Sequence, residues 1–345
     1  MKKIFFVLIS LLLLSFNTCD DNPVNGDDVK PGRRDYVWEL DSLQKISPND
    51  YSELWGTSMD NLWLATDSYD LDKNLLHFDG QKWSKVATIP NPVQAWSLFG
   101  INKKDAWIGG INADFWKFKG QTFQLFNQYP LPNFLITYVS DIWGDSPSNY
   151  FSCGSVLSED QNHLYAYMMK FDSNEWKYIV MPGREESFIK IMGGKNLNSD
   201  LLILSYYDNR TGDDVYRLYR FHSGNFQLIF DNSGYPNDLP WFEKLGDELF
   251  ICFNKKIYSL NNIQIKMIRD LSNTNIKHSK FFGRSLSDIF FTAEDDIAHY
   301  NGSDVETIYS FPNFKGIVKM VLFDNGIAIL LTNRSSFCVL RGKLE

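Results

Sequence analysis

Phe78-Asp79-Gly80-Gln81-Lys82-Trp83 is one of seven copies of a six-residue phrase that runs apolar, polar, small, any, any, apolar. The others begin at Phe118, Phe171, Phe221, Leu260 and Tyr300, and a truncated copy closes the series as Leu340-Arg341-Gly342-Lys343-Leu344. From one leading apolar residue to the next, the steps are 40, 53, 50, 39, 40 and 40. That is the period of propeller blades and is short for repeats made of two long helices. The Asp-Gly, Lys-Gly and Asn-Gly centres are hairpin chemistry, so each phrase predicts a turn between the third and fourth strands of a blade. Seven phrases therefore predict an all-β chain folded as a seven-bladed β-propeller of four-stranded blades.

The remaining strands fall around the phrases. The first strand of each blade, A, ends in an apolar residue and usually glycine, as in Leu54-Trp55-Gly56, Leu98-Phe99-Gly100, Ile142-Trp143-Gly144, Ile191-Met192-Gly193, Lys244-Leu245-Gly246 and Phe281-Phe282-Gly283, with Leu322-Phe323-Asp324 in the last blade. A glycine there suits a turn with positive φ. Trp55, Trp143 and Phe282 in this column read as packing between blades rather than as a ligand platform. Strand B follows as Leu62-Trp63-Leu64 or Ala106-Trp107-Ile108. The seventh phrase leaves its blade without a fourth strand D. Tyr36-Val37-Trp38-Glu39-Leu40-Asp41 has the alternation of a strand and would complete that blade, closing the ring and removing two exposed edges.

With 44% hydrophobic and 16% aromatic residues, the chain can bury a large core. A net charge of −8, with no basic cluster beyond Arg33-Arg34, gives counterion release little to work on and argues against nucleic acid. The N-terminus reads as an export signal: Lys2-Lys3, an apolar run from Ile4 to Leu14 that is too short to span a bilayer, then Cys19. Cys19 followed by Asp20-Asp21-Asn22 resembles a bacterial lipoprotein signal in which the cysteine is acylated. This divides the chain into a signal peptide at 1–18, a flexible tether at 19–34 and the propeller at 35–345. It implies an outer-membrane lipoprotein, possible surface exposure, and contact with the membrane through the lipid alone. Cys153, Cys252 and Cys338 cannot all pair and read as buried free thiols.

The pairing of an Asp-x-Trp strand, as in Asp105-Ala106-Trp107, with a following Phe-Asp-Gly-x-x-Trp phrase resembles the repeats of bacterial secreted and lipoprotein propellers. The resemblance covers most of residues 52–305 and is clearest in blades 1, 2, 3 and 6. It implies the fold and an extracytoplasmic role, and it carries no catalytic residues.

No chemistry-bearing motif stands out. His77 and His299 precede their phrases where other blades have Lys117, Lys170 and Arg220, a column expected to be a solvated strand face. No cluster has zinc spacing, and Asp70-Leu71-Asp72 lacks the glycine and distal glutamate of a calcium loop, so neither metal nor cofactor is expected. One clue to function is a length difference. From the end of strand A to the phrase, blades 1 to 7 use 22, 18, 27, 28, 14, 17 and 16 residues. The excess in blades 3 and 4 falls between strands B and C, as longer loops or as longer strands. The candidate ligand-binding residues on that face are Tyr69, Asp70, Tyr129, Phe134, His163, Arg184, Tyr206, Tyr207, Arg210 and Tyr235. The sequence thus predicts a monomeric, non-enzymatic binding propeller for a protein or glycan at the cell envelope. The alternative is a carbohydrate-active hydrolase or lyase on the same scaffold.

Overall fold

The computed structural model describes residues 32–43, 52–66, 74–86, 94–197, 199–208, 214–232, 239–261, 264–277, 279–293, 296–311, 316–332 and 337–345. They form seven antiparallel sheets, each of four strands in the order A-B-C-D. The fold is a seven-bladed β-propeller. Blade 1 spans 52–85, blade 2 95–128, blade 3 134–184, blade 4 187–231, blade 5 241–270 and blade 6 281–310. Blade 7 takes strands A to C from 316–344 and its outermost strand from Tyr36–Ser42. Leu40 stands opposite Leu340, so the ring is closed by the N-terminal strand as expected. Asp41 on that strand accepts hydrogen bonds from Arg341 at 2.7 and 3.0 Å and from the Trp83 indole at 3.0 Å, joining blade 7 to blade 1.

The core is divided into seven clusters of buried residues, and each lies between two adjacent blades. The strand A glycines explain how the blades approach so closely. A Cβ on Gly100 would stand 2.3 Å from the Trp55 ring of blade 1, and one on Gly193 would stand 2.4 Å from Trp143 of blade 3. Gly56, Gly100, Gly144, Gly193 and Gly283 do not have positive φ. They are glycines because a ring or side chain from elsewhere occupies the place of a Cβ, which corrects the turn expected there. Strand pairing also shifts two blades. Lys244 opposite Leu249 and Leu322 opposite Ile327 occupy the register of Gly56 opposite Leu62, so Gly246 and Asp324 are not the equivalents of the other strand ends.

The phrases behave as hairpin turns where φ is concerned. Their third positions Gly80, Gly120, Ser173, Ser223 and Gly302 have φ between 47° and 98°. The seventh copy does not turn. Leu340–Leu344 belongs to the straight strand Phe337–Leu344, and Gly342 is small because the Trp38 ring lies 2.5 Å from where its Cβ would be.

The column before the phrase is no solvated face. Each of its residues stands opposite the second apolar position of strand B: His77 opposite Trp63, Lys117 opposite Trp107, Lys170 opposite Phe151, and His299 opposite Phe290. His77 lies over Trp63 with centroids 4.2 Å apart, and His299 lies 4.5 Å from Phe290. The Lys117 and Lys170 ammoniums sit 4.8 and 5.1 Å from their rings, within cation–π range. The residue that opens strand B completes the set. Asn61 Oδ1 is 2.7 Å from His77 Nε2, and Asp288 Oδ1 is 2.7 Å from the fully buried His299. In blades 1 and 6 the residue that opens strand B, the ring and the histidine form an intrablade latch; in blade 2 the Asp105 carboxylate makes no such bond to Lys117.

Where the extra length of blades 3 and 4 goes is also settled by the strands. Strands B and C of blade 3, Asn149–Ser158 and Leu164–Phe171, have 10 and 8 residues, and those of blade 4, Leu201–Asp208 and Asp214–His222, have 8 and 9. Strand B has 6 residues in blades 1, 2, 5 and 6. Much of the excess is taller hairpin rather than loop. Cys153, Cys252 and Cys338 are buried free thiols.

Candidate functional site

The tall hairpins of blades 3 and 4 stand side by side, and the short Glu185-Glu186 connection between the blades runs at the foot of the cleft they form. Glu186 is its anchor. It is only 3% exposed and is held by Arg184 Nε at 2.5 Å, Ser205 Oγ at 2.8 Å and Tyr219 Oη at 3.3 Å, with Arg217 at 3.6 Å. A buried carboxylate costs far too much to leave unpaired, so these donors fix the connection in place. Glu186 in turn holds the Arg184 guanidinium above its ordinary pKa against the effect of burial, while burial and then Glu186 push the Tyr219 hydroxyl up. Arg184 also donates to Tyr219 Oη at 2.7 Å and lies over that ring.

At the rim, His163 Nδ1 from the blade 3 turn meets Glu185 Oε1 at 2.7 Å. Asp160 fixes that turn by accepting from Ser158 Oγ and the Asn162 amide. Opposite, the Tyr206 hydroxyl donates to Asp214 at 2.9 Å, and Arg217 lies 5.4 Å from the Tyr207 ring. Asn162, Leu164, Glu185, Glu186, Ser187, Tyr206 and Tyr207 enclose a cavity of about 80 Å³. The structure therefore brings His163, Arg184, Tyr206 and Tyr207 together. Phe134 packs edge-on against Tyr165 at 6.1 Å. Tyr129 is engaged in joining blades 2 and 3, accepting from the Trp176 amide through its hydroxyl and from Tyr178 through its carbonyl. Tyr69, Asp70, Arg210, Tyr235 and Cys19 lie outside the described residues.

A second constellation, not anticipated from the sequence, lines the central channel. Residues from strand A of all seven blades surround a cavity of about 250 Å³. Lys319 pairs with Glu53 at 2.7 Å and Lys190 with Glu243 at 3.0 Å, while Lys280 donates to the Val318 carbonyl at 2.8 Å. Lys190 and Lys280 both lie over the Trp241 ring, at 4.3 and 4.8 Å. Burial pulls the Lys280 ammonium down to about 8, and Lys319 and Lys190 pull the same way. Burial pushes Asp141 up to about 6 against the pull of Lys319 and Lys190, and its carboxylate accepts the Ile191 amide at 2.9 Å. Glu53, Asp141, Lys190 and Lys280 share one place in the sequence, directly before the apolar pair that precedes the strand A glycine. A charge repeated at that position was the signal for this ring.

The sequence matches no family model, and no curated protein is similar to it. Solved structures are similar in fold. YCF48 bound to D1 peptide aligns at 13% identity over 92% of this chain and 100% of that one, with a TM-score of 0.57. YCF48 from Cyanidioschyzon merolae aligns at 10% identity over 88% and 98%, with a TM-score of 0.59. The WD40 β-propeller domain of Doa1 aligns at 14% identity over 89% and 97%, with a TM-score of 0.52. The likeness is one of architecture. It spans the whole ring and places no functional residue.

Proposed function

We propose that this protein is a lipid-tethered, extracytoplasmic binding propeller of the bacterial envelope, which receives a polypeptide segment of its partner in the cleft of blades 3 and 4. The observation that carries the reading is the use of the extra chain length. Two adjacent hairpins are raised above the ring, and a buried, fully paired Glu186 fixes the ground between them. Tyr206 and Tyr207 offer contact area at small entropic cost, and Arg184, His163 and Glu185 offer oriented polar groups. A peptide bound to the similar YCF48 propeller supports a polypeptide as the class of partner. The tether in this reading is acylated Cys19, placing the ring at the outer membrane.

The test is crosslinking and capture from envelope extracts with the full chain. Replacing both Tyr206 and Tyr207 with Ser should release the captured partner, and replacing Gln81 and Lys82 in a tight turn of the opposite face should not. Retention of the partner by the tyrosine variant, with loss from the turn variant, would place the function on the other face. A partner released by glycosidase treatment would make the ligand a glycan.

A further inference from the structure

The face that carries the A–B and C–D turns holds a pocket of about 470 Å³ where blades 3, 4 and 5 meet, lined among others by Lys170, Lys195, Lys244, Asp145, Asp200 and Trp143. Its charges are unequal in availability. Asp200 is committed to Arg220 and His222, both at 2.5 Å, and Asp145 accepts from Asn149 at 2.9 Å. Among the described residues, Lys170 and Lys195 form no ion pair, and Lys244 has only Asp247 at 3.9 Å. Asp145 keeps its negative charge, since its partner is a neutral amide, and three ammonium groups against that one uncompensated carboxylate leave the concavity net positive in a chain of net charge −8.

The pocket is also built in advance of any ligand. Lys170 rests 5.1 Å over the Phe151 ring. The Gly193-Gly194-Lys195 corner is pinned by the next residue, because Asn196 donates to the Leu249 and Leu260 carbonyls at 3.0 Å and accepts the Leu249 amide at 3.0 Å. The Lys195 amide donates to the Asp247 carbonyl at 2.9 Å. The backbone of this corner and the Lys170 ammonium are thus set before a ligand arrives, while the Lys195 and Lys244 side chains close on it.

We infer that this pocket is an oxyanion site for a phosphorylated ligand of sugar size. Three ammoniums supply up to nine N–H donors around a group with three acceptor oxygens and close to two negative charges, whereas a carboxylate offers two oxygens and one charge. The volume falls within the range of small-molecule sites and leaves room for a ring beyond the phosphoryl group. The site lies on the face opposite the proposed partner cleft and does not depend on that reading.

The experiment is calorimetric titration of the full chain with glucose 6-phosphate, glucose and inorganic phosphate. Glucose 6-phosphate should bind, inorganic phosphate should bind the same lysines more weakly, and glucose should give no heat. Each of Lys170→Gln, Lys195→Gln and Lys244→Gln should weaken binding about tenfold, the worth of one hydrogen bond to a charged group, and the triple variant should lose it. Thermal unfolding of each variant checks that the blades remain intact, and Lys104→Gln serves as a distant control. Absence of binding to either phosphate, or binding that survives in a folded triple variant, would overturn the assignment.

Discussion

Lys280 is a half-buried cation in the channel that forms no ion pair among the described residues, and replacing it with methionine tests whether the ring of charges there is a cost to the fold. Its pKa falls from 10.5 to about 8. At 1.36 kcal/mol per tenfold change in acidity, this corresponds to about 3 kcal/mol against the charged form. The native state gives up this proton near pH 8, and the unfolded chain keeps it to about 10.5. Between those values unfolding takes up a proton, so stability rises with pH, and the penalty is present in full below pH 8. Methionine fills a similar volume without the charge, at the expense of the hydrogen bond to the Val318 carbonyl and the contact with Trp241. After subtracting about 1–2 kcal/mol for those contacts, Lys280→Met should stabilise the protein by about 1–2 kcal/mol at pH 7. It should also lose the rise above pH 8. The assay is urea unfolding of both proteins from pH 6 to 10, read by tryptophan fluorescence. A variant less stable than the parent at pH 7, with the parent's slope retained, would refute the reasoning.

Other outcomes follow from the same structure. Asp141 keeps its proton in the native state up to about pH 6 and in the unfolded chain only to 3.8, so its contribution to stability is lost as pH rises between them. Asp141→Asn should remove that slope in urea unfolding. Gly100→Ala drives a methyl into the Trp55 ring and should cost about 1–3 kcal/mol or more by the same assay, whereas Gly183→Ala, with nothing within 4 Å, should cost little. Removing residues 20–30 should leave the melting temperature unchanged, because it spares Gly32 and Arg34, which bond to Ser287, Asn301, His299, Asp304 and Glu306. Removing 20–34 should lower it, and removing 20–42 should add aggregation measurable by light scattering. From the proposed lipid tether rather than from the ring, Cys19→Ser should abolish incorporation of a labelled fatty acid.

The repeat phrase made most of the blade count legible because a turn with positive φ restricts residue type whatever surrounds it, while the seventh copy marked its blade through a glycine that makes room for Trp38 instead. Closure was legible for a similar reason: a blade one strand short and a lone alternating segment at the other end have few ways to satisfy their edges. The meaning of the strand A glycines was not legible, since the ring that excludes a Cβ at Gly100 comes from Trp55 in another blade. His299 looked like one more polar residue on an open strand, and only the fold brings Asp288 and Phe290 against it. In the cleft, His163, Arg184, Tyr206 and Tyr207 were marked out by chain length and residue type. Glu186, whose burial fixes the cleft, was not marked out among the candidates, because a glutamate in a connection carries no sign that it will be buried.

The pairing of Leu40 with Leu340 has a consequence for the order in which the molecule is made. The segment Tyr36–Ser42 is synthesised before the other strands of the ring and must wait for Phe337–Leu344, which follows all the other described strands. Bringing together positions some three hundred residues apart costs about 5 kcal/mol of chain entropy for a flexible loop, and blades already formed in between shorten the search. A chain that stalls during synthesis lacks the strand on which its first one docks. It carries an unpaired edge at each end of an open arc, a template for pairing with another chain. Closure thus depends on both flanks of the ring being present, since neither Tyr36–Ser42 nor Phe337–Leu344 can complete the seventh blade without the other.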